Sequence, residues 1–166
     1  MSKWLLAVAA CAIAVGFSRA DDKKDEVLVK IVHVESGKVL GIDGDSEESE
    51  AHVVLAKDED KDSRQWKVVT DGEWVKIVHA RTGKLLDVNN ASTDEGAHLI
   101  IWDDKGDADK DNQRFKWDGK GDERRLTGKG SKLALDVDGD GHVVQMKADE
   151  KNKKQLWKVV EVKAKK

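Results

Sequence analysis

The sequence predicts an all-β fold made of three internal repeats, and three observations carry that expectation. The run Val29-Lys30-Ile31-Val32-His33 recurs as Val75-Lys76-Ile77-Val78-His79, a shift of 46 residues. Short alternating runs rich in valine and isoleucine are separated by clusters of Gly, Asp and Asn, the punctuation of strands and turns. No stretch after the N-terminal segment carries a long 3.6-residue period, which argues against an α/β protein.

The elements follow in order along each repeat. The repeats run 27–70, 73–118 and 122–162. In the opening strand, Val29 and Ile31 share one face with Val27, and Lys30 and Val32 take the other. A Gly-Lys turn leads into the second strand, at Gly37-Lys38-Val39-Leu40 and at Gly83-Lys84-Leu85-Leu86. The third strand begins at Ala51-His52-Val53-Val54, Ala97-His98-Leu99-Ile100 and Gly141-His142-Val143-Val144. Val53 and Leu55 share a face, as do Leu99 and Ile101. The fourth strand opens on an aromatic: Trp66, Phe115 and Trp157. The third repeat starts weakly, at Arg124-Arg125-Leu126-Thr127, but Leu133-Ala134-Leu135-Asp136-Val137 restores the register. Four short strands per repeat give about twelve in all. One such unit cannot bury its apolar face alone, so the three must share a core. The closing aromatics are its expected centre, each contributing about 2–3 kcal/mol by burial.

The ends of the chain read differently. Met-Ser-Lys is followed by an apolar stretch from Trp4 to Phe17, then Ser18-Arg19-Ala20 and Asp21-Asp22. A charged start, an apolar run and small residues describe a signal peptide, 1–20, cut after Ala20. The run is too short for a comfortable membrane span. Val8-Ala9-Ala10-Cys11 resembles a lipobox, so a lipoprotein anchored at Cys11 is the alternative. A mixed-charge leader, 21–26, and a basic tail, 163–166, flank the repeats. The expected location is secreted or periplasmic. Cys11 is the only cysteine, so the mature chain has no disulfide. Loss of Lys3 and Arg19 takes the net charge from −3 to −5. Interspersed acid and base suit a solvated surface and argue against nucleic acid as a partner.

Each repeat closes on a Gln-x-Trp-like triplet: Gln155-Leu156-Trp157, Gln113-Arg114-Phe115 and, degraded, Arg64-Gln65-Trp66. Three such closures at this period resemble the ricin B-type lectin family over essentially the whole mature chain. The resemblance implies a β-trefoil, in which six strands form a short pseudo-three-fold barrel and six form hairpins that cap it. It also implies a shallow sugar pocket in each repeat: an aspartate just after the Gly-x-x-Leu turn, an aromatic in the third strand and an Asn-Gln pair before the closing triplet. In the second repeat these fall on Asp87, Trp102, Asn112 and Gln113, and Asn89 could add a polar contact. The family preference implies galactose or N-acetylgalactosamine.

The chemistry suits that role. The C–H face of a sugar stacks on an aromatic ring such as Trp102. A carboxylate accepts two bonds and an amide both donates and accepts, matching sugar hydroxyls. The third repeat keeps Asp136 and Gln155, but Met146 replaces the aromatic and Lys154 the asparagine. In the first repeat Gly41, Ala56 and Ser63 hold the corresponding places, so no site is expected there. A monomer binding a glycan through the second repeat is the leading expectation. The alternative is a trefoil scaffold with decayed pockets that binds a protein.

Other signals are weaker. Asp136-Val137-Asp138-Gly139-Asp140-Gly141 matches half of a calcium loop, but Lys147 stands where a bidentate glutamate is needed. The charged runs Lys57 to Lys61 and Asp103 to Asp111 read as solvated loops. Alternation places Val53, Leu99 and Val143 inward, so His52, His98 and His142 are expected to face outward and far apart, with no metal site. No nucleophile–base pair or phosphate loop is evident, so neither an enzyme nor a cofactor is expected.

Overall fold

The computed structural model describes residues 27–106 and 110–163. The segments read from the sequence as a signal peptide (1–20) and a leader (21–26), and all but the first residue of the basic tail, lie outside the described residues. Each repeat supplies four strands. The first contains β1 (Val29–His33), β2 (Val39–Ile42), β3 (Val53–Ala56) and β4 (Trp66–Asp71). The second contains β5 (Trp74–His79), β6 (Leu85–Val88), β7 (Leu99–Trp102) and β8 (Phe115–Asp118). The third contains β9 (Arg125–Gly128), β10 (Ala134–Val137), β11 (Val143–Met146) and β12 (Trp157–Glu161). Among the described residues, helical structure is confined to short 3-10 turns. Val27 lies ahead of β1 and is exposed, so it does not extend the inward face of that strand.

Six strands form the barrel layer. All its pairings are antiparallel: β4 with β5, β8 with β9, and β12 with β1. The first and last strands of a repeat touch at Val29–Trp66 and Val75–Phe115. The sheet ladder is not closed between β9 and β12. There the isolated bridge Arg124–Trp157 spans the gap at the equivalent position. The other six strands form the hairpins β2–β3, β6–β7 and β10–β11, each with four paired positions.

Trp66, Phe115 and Trp157 lie fully buried at the centre. Leu40, Leu86 and Leu135 from the hairpins pack in the same core. The Trp66 indole Nε1 donates to the Leu40 carbonyl at 3.0 Å, and Trp157 Nε1 donates to Leu135 at 3.3 Å. These bonds satisfy the polar atom that a buried indole brings with it. Phe115 brings none. His79 pairs with Trp66, and His33 with Trp157, at ring-centroid distances of 5.0 Å. Burial pushes both imidazole pKa values below 6.5.

The expectation for His52, His98 and His142 is overturned. Their ring centroids are only 4.7, 5.2 and 5.5 Å apart. The third strands interlock in a cycle around the pseudo-three-fold axis. His52 bridges Ile100, His98 bridges Val144, and His142 bridges Val54. Three equivalent main-chain bonds close the cycle: Ile101 N–H to the Ala51 carbonyl (3.0 Å), Gln145 N–H to Ala97 (2.9 Å) and Leu55 N–H to Gly141 (2.8 Å). Alternation did place Val53, Leu99 and Val143 in the core. It specifies which side of a strand faces the core and nothing about distance from the axis. The hairpins converge at one end of the barrel, so side chains pointing away from the core still meet there.

Candidate functional site

In the second repeat, β6 carries a buried carboxylate, Asp87, one residue before its end, and a 3-10 turn, Asp111–Gln113, brings two amides to it. Asp87 Oδ1 accepts from Asn112 Nδ2 at 2.6 Å, and Oδ2 accepts from Gln113 Nε2 at 2.9 Å. The same amides also donate to main-chain carbonyls, Asn112 to Val88 at 3.0 Å and Gln113 to Asp103 at 2.8 Å. Three of the sequence-derived residues therefore form one connected cluster. Trp102 is half-buried at the end of β7, opposite Leu85. Asn89 opens the next 3-10 turn, and its N–H donates to the His98 carbonyl at 3.0 Å. Its backbone is thereby tied to the axial histidines.

Sequence reading missed Lys105. Its ammonium lies 3.1 Å from Asp87 Oδ2 and 3.3 Å from Asn112 Oδ1, and its N–H donates to Gln113 Oε1 at 3.1 Å. Lys105 belongs to the charged run read as a solvated loop. Two acidic residues of that run are also engaged, Asp103 with Lys84 at 3.1 Å and Asp104 with Lys76 at 2.9 Å. Burial pushes the Asp87 carboxyl above its ordinary value, while Lys105, Gln113 and Asn112 pull it back. Both carboxylate oxygens already have partners. A sugar hydroxyl reaching Asp87 must displace the lysine, whose side chain is 30% exposed and can swing toward water.

The third repeat is better equipped than its aligned residues indicate. Asn152, two positions before Lys154, donates its amide to Asp136 Oδ2 at 2.8 Å. Gln155 Nε2 donates to the same oxygen at 3.0 Å. Asp136, Asn152 and Gln155 thus rebuild the carboxylate–amide cluster with a shifted asparagine. They line an open cavity of about 640 Å³ together with Met146. In the half calcium loop, Asp138 Oδ1 instead accepts the N–H groups of Asp140 and His142, each at 2.9 Å, as a turn aspartate does.

The first repeat has lost its pocket through a paired replacement. Gly41 stands where the others have aspartate, and Arg64 where they have the closing glutamine. Arg64 is buried over Gly41 and pairs with Asp45, which also accepts from Ser63 at 2.8 Å. The Ser63 bond and the guanidinium together hold the Asp45 carboxyl at about 2. A Cβ at Gly41 would lie 2.8 Å from the Ala56 Cβ and 3.0 Å from the Arg64 Cδ. Overpacking of this kind costs about 1–3 kcal/mol. Gly41→Ala is therefore expected to lower the unfolding free energy measured by urea denaturation by that amount while leaving glycan binding intact.

The ricin-type beta-trefoil lectin domain matches residues 73–165, and a ricin-type beta-trefoil lectin domain-like family matches residues 15–102. The chain belongs to the ricin-type β-trefoil lectin family. It is by family a carbohydrate-binding module. Among solved structures it resembles the designed three-fold symmetric protein ThreeFoil, with 31% identity and a TM-score of 0.75, over 81% of this chain and 99% of that one. It also resembles an exo-beta-1,3-galactanase from Clostridium thermocellum, with 31% identity and a TM-score of 0.74, over 84% of this chain. The match covers only 31% of that enzyme's chain. A Polyporus squamosus lectin bound to a sialylated galactose-containing epitope shares the fold at 19% identity and a TM-score of 0.69, over 81% of this chain and 48% of the lectin. No curated protein matches the chain. Among the described residues, no helix is long and apolar enough to cross a membrane.

Proposed function

We propose that this lectin-family chain is an exported, non-catalytic module that binds galactose- or N-acetylgalactosamine-type glycans, chiefly through the second repeat. The observation that carries the reading is the cluster in which Asn112 and Gln113, on the turn before β8, bind Asp87 on the hairpin that also presents Trp102. The cluster is pre-formed, because its amides are held by main-chain carbonyls before any ligand arrives. Trp102 supplies the stacking face, and Asp87 with Asn112 supplies the hydroxyl partners once Lys105 moves aside. A site built to bond hydroxyls discriminates against sugars that leave its polar groups unpaired.

The third-repeat cluster gives the module a second, weaker site without an aromatic. Two sites in one chain would add avidity on a branched or surface-bound glycan. Single-site affinities are then expected in the millimolar range, about −4 kcal/mol.

Glycan-array screening followed by calorimetric titration tests the reading. Trp102→Ala is expected to weaken galactoside binding by about tenfold or more, with unchanged circular dichroism. Equal binding by the variant would move the site elsewhere. Absence of binding by the wild type at roughly tens of millimolar galactoside would reject the glycan reading. The filled first repeat favours a second reading, a protein-binding scaffold. Capture of one protein by both wild type and Trp102→Ala, without any glycan binding, would support it.

A further inference from the structure

Three histidines, one from each repeat, meet at the pseudo-three-fold axis, and the glycan cluster uses none of them. Donor atoms of His98, His142 and Asp138 all lie within 4.8 Å of one another. His52 stacks on His98 at a centroid distance of 4.7 Å. Two details indicate that this cluster awaits a ligand. His98 Nδ1 is buried with no hydrogen-bond partner, a state that is costly to leave unmet. Asp138 Oδ1 is occupied by the N–H groups of Asp140 and His142, which turns Oδ2 toward the His142 ring, 3.3 Å from Nδ1.

The donor types select the ligand. Imidazole nitrogens with one carboxylate suit zinc and its neighbours among the first-row divalent ions, whereas calcium and magnesium prefer sets made only of oxygen. Zinc–nitrogen bonds of about 2.0–2.1 Å place tetrahedral donors roughly 3.3 Å apart. The donors must therefore draw inward from their present spread, which rotation about the histidine side-chain bonds can supply. The backbone beneath them is held by the cyclic bonds between β3, β7 and β11.

We propose that His98, His142 and Asp138, with His52 as the fourth donor, hold one divalent transition-metal ion, zinc by preference, at the pseudo-three-fold axis. Because its ligands come from all three repeats, the ion acts as a clasp across the hairpin end of the barrel. Binding to the folded state alone raises thermal stability in proportion to the logarithm of zinc concentration.

The test is calorimetric titration of the tag-free chain with zinc chloride, alongside thermal melts in zinc and in magnesium. One zinc per chain is expected, with a rise in Tm that magnesium does not reproduce. Cobalt(II) is expected to give the intense visible bands of a four-coordinate site. His98→Asn and His142→Asn should each weaken zinc binding by at least about tenfold, the scale of losing a well-placed partner. Trp102→Ala should bind zinc as the wild type does, which separates this site from the glycan pocket. No zinc binding by the wild type at about 0.1 mM would overturn the proposal without recourse to any variant. Undiminished binding by a folded His98→Asn/His142→Asn double variant would place the ion elsewhere and overturn it as well.

Discussion

Trp66→Ala is expected to destabilise the fold by about 3–5 kcal/mol, the usual cost of removing a buried aromatic from a packed core. Trp66 is fully buried, and it is one of three equivalent aromatics that the repeats share. The void cannot be relieved locally, because Leu40, His79 and Val29 are themselves held by main-chain pairing to β3, β4 and β12. The loss also strands the Leu40 carbonyl that now accepts the indole N–H. Against a total stability of about 5–15 kcal/mol, such a change moves the chain close to its unfolding threshold. Trp66→Phe should cost much less, since the second repeat already closes on Phe115. Urea denaturation of both variants gives the two values. A Trp66→Ala cost below about 1 kcal/mol would show that the shared-core account is wrong.

Asp87→Asn is expected to destabilise the fold by about 2–3 kcal/mol and to abolish binding at the second repeat. The carboxylate accepts from Asn112 and Gln113 and faces the Lys105 ammonium. An amide in its place turns one NH2 toward groups that are already donors. Burial already pushes the Asp87 carboxyl upward, so its charge is only partly compensated. That does not make its removal harmless. Deleting one member of a buried polar network leaves the others unpaired, and the cost comes from those groups. Lys105 can escape to water, which is why the expected figure stays below that for a fully enclosed pair. Chemical denaturation measures the stability change, and titration with galactosides measures the binding. Full stability of the variant would mean that the cluster is not a preformed network.

Much of the architecture was legible from the residues. The 46-residue repeat, the strand punctuation and the closing aromatics each depend on nearest neighbours or a fixed period. A one-dimensional sequence records such features directly. The twelve strands and the burial of Trp66, Phe115 and Trp157 followed from them. The carboxylate–amide cluster was half legible. Asp87, Asn112 and Gln113 could be named from a family pattern. Lys105 could not, because a lysine within an acidic run reads as solvated until the loop is folded onto the pocket. Asn152 escaped for a related reason: a shift of two residues removes it from the aligned column, yet the 3-10 turn at Lys153–Gln155 brings its amide to Asp136. Arg64 over Gly41 is a compensated pair. Each residue alone reads as a loss, and only their contact shows the pocket to be filled.

The axial histidines mark the sharpest limit. By itself, the sequence determined the number of repeats, the strand alternation and the three residues that close the core. It also determined that His52, His98 and His142 occupy equivalent places. Only the tertiary structure decided that equivalence means proximity. Strand alternation is a local property, set by the two-residue period of the backbone. Distance from a symmetry axis depends on how three hairpins pack against one another, through bridges between residues more than forty positions apart.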